Sequence, residues 1–442
     1  MMEYVTTLIL QIYIRFCIVA LLVYLPRISY YFAAFKKQKR LVNPQKNRIA
    51  VIIPARDEKA VISCCLDSLV TQTYDPQYFD AYVVVADETD PTVEIAAAYE
   101  RTHVTVIGEQ TCKGSTLDGI LKKILAEDPD RYDAFLILDA DNLAAPDLLE
   151  EMNNALASGK QIVCGKKLIK NWQSLRRDSR SFISNCTALT YSQVDDLGNR
   201  ARNVLGITIV MMGTGMLVRA DVIKENNGWP YRSLTEDYEM TADAILQDWT
   251  SLYYSHAKVY TEEAVGAKTA FKRKMRWIKG YTQCQRQYGK KITRKTFTRG
   301  IKWKNFDFMY GTYPAYAFFG VSAVAMIFGI VTLGLWLFGN VVSLMTALRM
   351  TLIPLVFIYG ALFAFTLLTL IVDWRNTKIS LREKLALLFF NPLYTLGYFR
   401  IFIAAFMTSY DYFKWEPTDR IPFEMVSTAF SAAELPADGE RG

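Results

Sequence analysis

Two kinds of hydrophobic pattern divide this chain of 442 residues. Long apolar segments with few charges occupy both ends, residues 1–35 and residues 309–410. Between them, short runs rich in β-branched residues alternate with segments that have a helical period. The long segments have the length that a transmembrane helix needs. The alternation in the middle of the chain predicts a soluble α/β domain instead.

The central region, residues 45–290, has the pattern of a doubly wound α/β domain. The strand-like runs cover residues 49–55, 81–87, 103–108 and 134–141, and the helix-like segments include residues 58–72 and 114–128. Continuous runs of Val and Ile are typical of parallel strands that are buried on both faces. We therefore expect a mostly parallel sheet, with ligands bound beyond the carboxyl ends of its strands.

The N-terminal segment, residues 1–35, predicts a transmembrane anchor. No small-residue cleavage motif follows its apolar core, which argues against a signal peptide. The basic run KKQKR comes next, at residues 36–40. Because Lys and Arg beside a membrane helix favour the cytoplasmic face, we expect the central domain to be cytosolic. The expected location is the cell (plasma) membrane, with several passes.

The C-terminal segment, residues 309–410, contains three candidate membrane helices. Two of them, residues 316–338 and 352–372, are each long enough to span a bilayer. The third, residues 384–407, is interrupted by a proline and an arginine. We expect this third segment either to span or to be re-entrant.

Composition and charge agree with a membrane location. Hydrophobic residues make up 51% of the chain and charged residues 21%, a mixture too apolar for one soluble domain. The net charge is +7, and the basic residues cluster near the apolar segments, so we expect contact with an anionic membrane face and no nucleic acid. Residues 290–308 alternate basic with aromatic residues and predict an amphipathic interface segment. Residues 411–442 predict a polar, flexible tail.

Acidic residues follow several of the predicted strands. Asp57, Asp87, Asp139 and Asp141 lie at or just after the ends of three strands, and Asp90 follows Asp87 closely. An isolated acid in such a place could simply form an Asx-turn before the next helix. Several acids at one sheet edge would repel one another unless a cation neutralised them.

The ligand chemistry of these acids indicates Mg²⁺ or Mn²⁺. Seven cysteines are scattered without a C-x-x-C pair, and the chain has two histidines, so neither a zinc site nor a disulfide framework is expected. Carboxylate oxygens suit hard ions, which bind through one or two carboxylates plus substrate phosphates. The sequence DAD at residues 139–141 therefore predicts a phosphate-bearing substrate.

Two further motifs lie downstream. Glu236 and Asp237 begin a helix-like run, where they could favour the helix N-terminus or, for Asp237, act as a general base toward a sugar hydroxyl. Arg273 and Arg276 share one face of a predicted helix, with Trp277 beside them. Two guanidiniums can bind a diphosphate, and an indole can stack on a sugar ring. The alternative for this segment is a basic amphipathic helix on the membrane surface.

In this order, the motifs resemble those of the inverting family-2 glycosyltransferases with a GT-A catalytic domain. The resemblance is to the membrane-embedded branch, which includes the cellulose, hyaluronan, chitin and poly-N-acetylglucosamine synthases. It rests on IIPARDE (52–58), VVVADETD (83–90), KG (113–114), LDADN (138–142), GTGMLVR (213–219), TED (235–237) and RKMRW (273–277). The order and spacing are more specific than any single motif.

This resemblance implies a role for individual residues. Those that would bind a UDP-sugar donor are Pro54, Ala55, Arg56, Glu58, Asp87, Asp90, Lys113, Arg273 and Arg276. Those that would lie at the acceptor are Gly213, Thr214, Gly215 and Trp277. The catalytic acids would be Asp237 as the base, with Glu236 and Asp139, and the metal ligands would be Asp141 and Asp139. Together they imply a single in-line displacement that inverts the anomeric carbon, with Mg²⁺ or Mn²⁺ at the diphosphate.

One residue departs from the motif of the processive members, which reads Gln-x-x-Arg-Trp. Arg273 stands where the glutamine would be. Arginine donates hydrogen bonds but accepts none, and it adds charge beside the phosphates, which puts processivity in doubt. The leading prediction is a synthase that extends a β-linked polysaccharide, with export that could need a homo-oligomer. The alternatives are transfer of a single sugar to a lipid acceptor, and a receptor or transporter that binds nucleotide sugars without catalysis.

Overall fold

The computed structural model describes residues 2–108, 110–170, 179–263, 267–298, 303–310, 313–339 and 341–408. The predicted tail, residues 411–442, lies outside the described residues, as do residues 299–302 of the predicted amphipathic segment. The strands are β1 (Ile49–Pro54), β2 (Phe79–Val85), β3 (Thr102–Val106), β4 (Ala134–Ile137), β5 (Leu143–Ala144), β6 (Ile162–Ile169), β7 (Met216–Arg219) and β8 (Ser251–Thr261).

Fifteen α-helices occur among the described residues. They are α1 (Met2–Tyr31), α2 (Ile62–Val70), α3 (Thr92–Ala97), α4 (Lys113–Glu127), α5 (Leu148–Leu156), α6 (Ser179–Ser192), α7 (Arg200–Leu205), α8 (Ala220–Glu225), α9 (Glu236–Gln247), α10 (Ala267–Thr298), α11 (Trp303–Tyr310), α12 (Tyr313–Gly339), α13 (Leu344–Val372), α14 (Leu381–Leu396) and α15 (Tyr398–Met407). A π-helical stretch, Gln193–Asn199, joins α6 to α7.

The eight strands form one sheet in the order β3-β2-β1-β4-β7-β6-β8-β5. β1 is parallel to β2 and β4, and β2 is parallel to β3. β7 runs antiparallel to both β4 and β6, while β8 is parallel to β6. The predicted α/β fold is confirmed, and the sheet as a whole is mixed. Because β7 is antiparallel, the residues that precede it lie at the edge where β1, β2 and β4 end.

Strand β1 shows why the central apolar runs become strands. Ile49, Val51 and Ile53 are buried in the core on one face of the sheet, and Ala50 and Ile52 in the core on the other. Side chains alternate between the faces of a strand, so a run that is apolar at every position fits a strand covered on both sides. Burying each aliphatic side chain of this size contributes about 1.5–3 kcal/mol.

Three helices among the described residues are long and apolar enough to cross a membrane, at Met2–Val23, Gly320–Gly339 and Leu344–Val372. The third C-terminal segment, residues 384–407, is instead divided between α14 and α15, of 16 and 10 residues. Each of these two is shorter than the roughly 20 residues that a spanning helix needs.

The two short helices contact both α13, a candidate membrane helix, and α10. The Asn391 side-chain amide of α14 donates to the Thr366 hydroxyl of α13 at 2.9 Å. The Lys279 ammonium of α10 donates to the main-chain oxygens of Ala405 and Thr408, at 2.9 and 2.7 Å. A cation at these carbonyls stabilises the C-terminus of α15.

A buried ionic cluster joins the end of α13 to the sheet. The Lys166 ammonium of β6 lies 2.6 Å from Asp196 Oδ2 of the π-helical stretch and 2.7 Å from Asp373 Oδ1, immediately after α13. All three side chains are at most 4% exposed. Arg200 also pairs with Asp196. One ammonium therefore connects a candidate membrane helix with the core of the domain.

Candidate active site

The Lys113 ammonium is the centre of the site. Lys113 is the first residue of α4, and its Nζ donates to Asp139 Oδ1 at 2.5 Å and to the Gly213 main-chain oxygen at 2.6 Å. The same Nζ lies 3.7 Å from Glu236 Oε1. Burial opposes the charged form, but the carboxylates of Asp139, Glu236 and Asp237 outweigh it and raise the pKa of Lys113. The amine is therefore held as a cation among three acids.

The two acids of the TED motif lie on the other side of this cation. Asp237 Oδ2 accepts from the Gly213 N–H at 2.6 Å, and its Oδ1 accepts from the Tyr238 N–H at 2.8 Å. Burial raises the pKa of Asp237, against these hydrogen bonds and Lys113. Burial and the charge of Asp237, opposed by Lys113, raise the pKa of Glu236 to about 7. A carboxylate with a raised pKa is a better proton acceptor, as a general base requires.

Thr235 directly precedes α9, but its side chain makes no capping hydrogen bond at the start of that helix. Instead, Glu236, Asp237 and Glu239 place three acids in the first turn of α9. This turn lies at the positive end of the helix dipole, which favours their charged forms. The same residues thus serve the helix terminus and line the site.

The glycine motif before β7 brings the main chain close to the acids. A Cβ on Gly213 would lie 3.2–3.3 Å from Glu236 Oε1, Asp237 Oδ2 and Lys113 Nζ. Gly215 adopts φ +60°, and its N–H donates to the Ile137 oxygen of β4 at 2.9 Å. Glycine is the residue that tolerates both requirements. The antiparallel approach of β7 therefore places this loop beside the end of β4.

Thr214 holds the DAD motif in place. Its hydroxyl accepts from the Asp139 N–H at 3.1 Å and from the Asn142 side-chain amide. Asn142 is fully buried directly after the motif, and its own N–H donates to the Asp139 oxygen at 3.0 Å. The turn that presents both aspartates is thus fixed from within. The sequence predictions place Thr214 at the acceptor substrate and assign no role to Asn142.

The two arginines of α10 have different surroundings. The Arg273 guanidinium lies 3.5 Å from the buried Glu263, donates to the Glu262 main-chain oxygen at 3.2 Å and to the Tyr191 hydroxyl at 3.4 Å. Burial opposes its charge, but Tyr191 and Glu263, with Asp141 and Asp139, raise its pKa. Arg273 is therefore anchored by protein groups while it faces the DAD motif.

Arg276, by contrast, is exposed. Desolvation, together with the charge of Arg273, lowers the pKa of Arg276, and the carboxylates of Glu236, Asp139 and Asp237 act in the opposite direction. Of the two arginines, Arg276 is the more exposed residue, which makes it the better candidate for binding an anionic ligand.

Trp277 lies in an apolar cluster rather than on an open surface. Its indole packs edge-to-face with Tyr191, at a centroid distance of 6.1 Å, beside Ile169 of β6 and Leu387 of α14. The Lys274 ammonium lies 4.2 Å from the indole centroid. Burial lowers the pKa of Lys274 to about 7. The predicted stacking of Trp277 on an acceptor sugar stays a prediction, and the structure limits the free area of its ring.

Several of the predicted nucleotide-binding residues lie at or after the carboxyl ends of β1 and β2. Asp87 is exposed, and its Oδ1 accepts from the N–H and the hydroxyl of Thr89, which is the Asx-turn alternative; these bonds lower the pKa of Asp87. Asp90 accepts from the Asp57 N–H at 3.0 Å and from the Thr92 N–H at 2.9 Å. The hydrogen bond from the Asp57 N–H thus joins Asp90 to the β1–α2 loop.

The remaining donor-side residues lie on that loop and the end of β1. Ala55 is buried, and its N–H donates to the Val84 oxygen at 2.9 Å. Pro54 and Glu58 are half-buried, and Arg56 is exposed. The Glu58 N–H donates to the Thr92 hydroxyl at 3.0 Å. Any contact of Ala55 with a nucleotide would therefore come from its main chain or its methyl group.

The acids of the DAD motif fit a divalent cation that takes most of its ligands from a substrate. Among the described residues, no group of three or more His, Cys, Asp or Glu side chains could hold a metal ion by itself. Asp139 and Asp141 supply carboxylate oxygens, the ligands that Mg²⁺ and Mn²⁺ prefer. Asp139 shares Oδ1 with Lys113, and the Asp141 main-chain oxygen accepts from Lys170 at 2.9 Å. The assignment of Asp141 as the principal metal ligand stays a prediction.

Sequence reasoning missed the residues that support the arginine and the DAD motif. Lys170 lies 3.0 Å from Glu262, and Glu263 is completely buried beside Arg273. Both glutamates come directly after β8, so the signal used for the aspartates, an acid at the end of a strand, would have found them. Tyr191 of α6 offers no such pattern, because a tyrosine in an amphipathic helix is common.

Comparison with known proteins identifies the family. A family described as glycosyltransferase like family 2 matches residues 44–280, more than half of the chain. The chain belongs to this family. The family and the enzyme class expected from the motifs are thereby confirmed, while membership of the polysaccharide synthase branch is not decided by this match.

Two relatives show how broad the family is. The chain is 22% identical over 270 residues to the beta-monoglucosyldiacylglycerol synthase of Nostoc sp., covering 60% of this chain and 55% of the relative. It is 24% identical over 250 residues to the probable glucomannan 4-beta-mannosyltransferase 3 of Oryza sativa, covering 54% of this chain and 43% of the relative. This family member thus spans about half the length of the relatives it matches.

A solved structure confirms the fold. The mannosyltransferase PcManGT from Pyrobaculum calidifontis, in complex with GDP-Man and Mn²⁺, aligns with a TM-score of 0.55 at 15% identity. The alignment covers 90% of this chain and 98% of that one. At this identity the likeness concerns the fold, and it agrees with the GT-A architecture predicted for the glycosyltransferase domain.

Proposed function

We propose that this family-2 glycosyltransferase is a membrane-bound enzyme that transfers a sugar from a UDP-sugar to a hydroxyl of a lipid acceptor, with inversion. The observation that carries the proposal is the cluster in which Lys113 bridges Asp139, Gly213 and Glu236, with Asp237 held by the Gly213 N–H. This cluster places a base and a cation within one small site. Its cation comes from α4 and its acids from the segment after β4 and from α9, while Gly213 comes from the loop before β7, a convergence that a structural role alone does not explain.

The donor diphosphate would bind between the DAD motif and α10. Arg276 is exposed, and its guanidinium can hold two phosphate oxygens. A divalent cation held by Asp141, with Asp139 beside it, would supply Lewis-acid stabilisation of the charge on the leaving diphosphate. Lys113 and Arg273 add two positive charges beside the DAD motif, which would help to stabilise the charge that develops on the leaving group.

The acceptor would be activated by Asp237. Its carboxylate has a raised pKa and is oriented by the N–H groups of Gly213 and Tyr238. It would take the proton of the acceptor hydroxyl as the hydroxyl oxygen bonds to the anomeric carbon and the bond to the diphosphate breaks. Attack from the side opposite the leaving group converts an α-linked donor into a β-linked product.

The surroundings of Trp277 favour a lipid acceptor over a growing polysaccharide. The indole packs beside α14, which leaves Leu385, Phe389, Phe390 and Leu393 exposed. Such a continuous apolar surface suits lipid tails. The three candidate spans are each buried over only 22% of their residues, so they offer little interior to line a glycan channel.

The relatives support both acceptor classes. The Nostoc relative is named as a synthase of a glycolipid, and the rice relative as a glucomannan mannosyltransferase. The predicted polysaccharide synthase therefore remains the competing proposal. We propose, as the sequence predicts, that the catalytic domain faces the cytosol, where the basic residues after the N-terminal anchor would meet the anionic membrane face.

The product decides between these proposals. Membranes containing the full chain are incubated with UDP-glucose, UDP-N-acetylglucosamine or GDP-mannose, each labelled in the sugar, and with Mg²⁺ or Mn²⁺. We expect label in an organic-soluble product that carries one sugar, and no product with Asp237→Asn. Polymeric product would refute the lipid acceptor. Binding of UDP without turnover of any donor would refute the enzyme proposal and support the receptor alternative.

A further inference from the structure

The loop before the proposed base is held between two helices. This loop, residues 229–235, leads into α9, which carries Asp237. The neighbouring helix, α10, carries Arg276. The base and the diphosphate-binding arginine thus lie on different elements. Their separation depends on how firmly α9, the loop and α10 are joined.

Glu239 is the junction of these three elements. It lies in the first turn of α9, two residues after Asp237, and is 3% exposed. Its Oε2 accepts from the main-chain N–H groups of Arg232 and Ser233, at 3.0 and 2.8 Å. Its Oε1 accepts from the Tyr288 hydroxyl of α10 at 3.0 Å. Because a buried carboxylate is costly without partners, this arrangement strongly favours one relative position of the elements.

Two further contacts join α10 to the same loop. Gln283 Oε1 accepts from the Leu234 N–H at 3.1 Å. Gly280 approaches Thr235 so closely that a Cβ would lie 2.5 Å from the threonine Oγ1. Gly280, Gln283 and Tyr288 are spread over about two turns of α10. This part of α10 therefore contacts the loop and α9 at three points.

We propose that Glu239 and Tyr288 are positioning residues that fix the distance between Asp237 and Arg276. The inference rests on the proposed transfer reaction, in which the base and the diphosphate lie on opposite sides of the anomeric carbon. Misplacing a group by about 1 Å can lower the rate roughly 100-fold, even when the altered residue is remote. Loss of the Tyr288 hydroxyl should therefore impair transfer more than it impairs binding of the donor.

The test compares Tyr288→Phe with Tyr132→Phe, each in the full chain. Tyr132 is also a buried tyrosine whose hydroxyl donates to a carboxylate, Asp80 Oδ2 at 2.6 Å, but it lies in the segment between α4 and the start of β4, at the opposite end of that strand from the DAD motif. The substrate is the labelled UDP-glucose, UDP-N-acetylglucosamine or GDP-mannose that the wild type uses. For Tyr288→Phe we expect kcat of transfer to fall about 10-fold, with KM for the donor changed less than about twofold.

Donor hydrolysis gives a second readout. In Tyr288→Phe, a larger fraction of the consumed donor should end as free sugar, since water needs less positioning than the acceptor. Tyr132→Phe should lower Tm by a similar amount and leave kcat and the hydrolysed fraction unchanged. If Tyr288→Phe does not fold, Gln283→Met removes the hydrogen bond that α10 accepts from the Leu234 N–H of the loop, and it should likewise lower kcat while KM for the donor stays nearly unchanged.

The outcomes separate the two proposals. An active wild type with unchanged kcat in Tyr288→Phe or, where that variant does not fold, in Gln283→Met overturns the positioning roles alone. Equal losses of kcat in Tyr288→Phe and Tyr132→Phe, in proportion to Tm, overturn them as well. A wild type that turns over none of the three donors overturns the proposed function, and the positioning roles with it.

Discussion

Replacing Lys166 by methionine tests whether the buried ionic cluster holds α13, a candidate membrane helix, to the sheet domain. The ammonium contacts Asp196 at 2.6 Å and Asp373 at 2.7 Å. Asp196 lies in a π-helical stretch, a rare conformation that is often found at functional sites. Methionine fills a similar volume but removes the charge, so the variant isolates the electrostatic contribution of the lysine.

The size of the destabilisation follows from the partners that Asp196 and Asp373 keep in the variant. At an effective dielectric constant of about 20, each contact is worth roughly 6 kcal/mol before desolvation, and desolvation offsets much of this. Without Lys166, Asp196 keeps Arg200. Asp373 keeps hydrogen bonds from two neutral donors, the Ser192 hydroxyl at 2.6 Å and the Asn376 amide at 2.7 Å, and the more distant charge of Lys384. We expect Lys166→Met to lower the free energy of unfolding by about 3 kcal/mol, at the lower end of the range for a broken buried pair.

The assay is unfolding of the full chain in detergent, followed by tryptophan fluorescence. The matched control is Lys224→Met, which removes the surface pair with Asp130 at the same distance of 2.6 Å. Exposed pairs contribute about 0–1 kcal/mol, so this control should unfold almost as the wild type does. The double variant Lys166→Met/Asp373→Asn should recover part of the loss, because it removes the stranded charge as well.

The pH dependence of the free energy of unfolding shows whether the loss in Lys166→Met grows or shrinks in acid. Burial opposes the charge of Asp373, but Lys166 and the two neutral donors outweigh it and hold its pKa below the ordinary value. In the wild type this stabilisation is present above the unfolded pKa and is lost as pH falls through the folded value. Without Lys166 the pKa of Asp373 rises, so the deficit of the variant should shrink on acidification. The reasoning would be refuted if Lys166→Met lowered the free energy of unfolding no more than Lys224→Met does, or if its loss grew in acid.

Three further predictions concern the candidate active site. Asp141→Asn should abolish the turnover that depends on Mg²⁺ or Mn²⁺ with an unchanged Tm; turnover at the wild-type rate would favour a solvated loop. The folded pKa of Glu236, about 7, exceeds the ordinary 4.5, so its stabilising contribution should be lost as pH rises through 7. Tm measured from pH 5 to 8 should therefore fall more in the wild type than in Glu236→Gln. Gly213→Ala should lower kcat about 10-fold or more because its Cβ would lie 3.2–3.3 Å from Glu236, Asp237 and Lys113, and an unchanged kcat would contradict this close approach.

The sheet and its edge were predictable because they rest on local patterns. The apolar run of β1 and the run that ends at Asp139 each specify a strand buried on both faces. Acids at the ends of such strands must meet at one edge, since parallel strands end on the same side. The length of α13 was likewise readable from its composition. These features need only neighbours along the chain.

The partners within the site were not predictable in the same way. Lys113 meets Asp139 from 26 positions away and Gly213 from 100, through a strand that runs antiparallel to its neighbours. The two arginines of the last motif look equivalent in sequence, yet Arg273 is anchored to Glu263 and Arg276 is exposed. Which of the two can bind a diphosphate depends on packing against residues that follow β8.

The sequence by itself determined the fold class, the family and the chemical inventory of the site. Hydrophobic periodicity set the strands and helices, and the spacing of acids, glycines and arginines set the motifs. Only the tertiary structure decided how these groups pair. It placed Lys113 among the acids, joined the end of α13 to Lys166, and brought Tyr288 to Glu239. The reason is physical: a local pattern decides which face a side chain takes, whereas a pairing depends on which distant residue occupies the facing position.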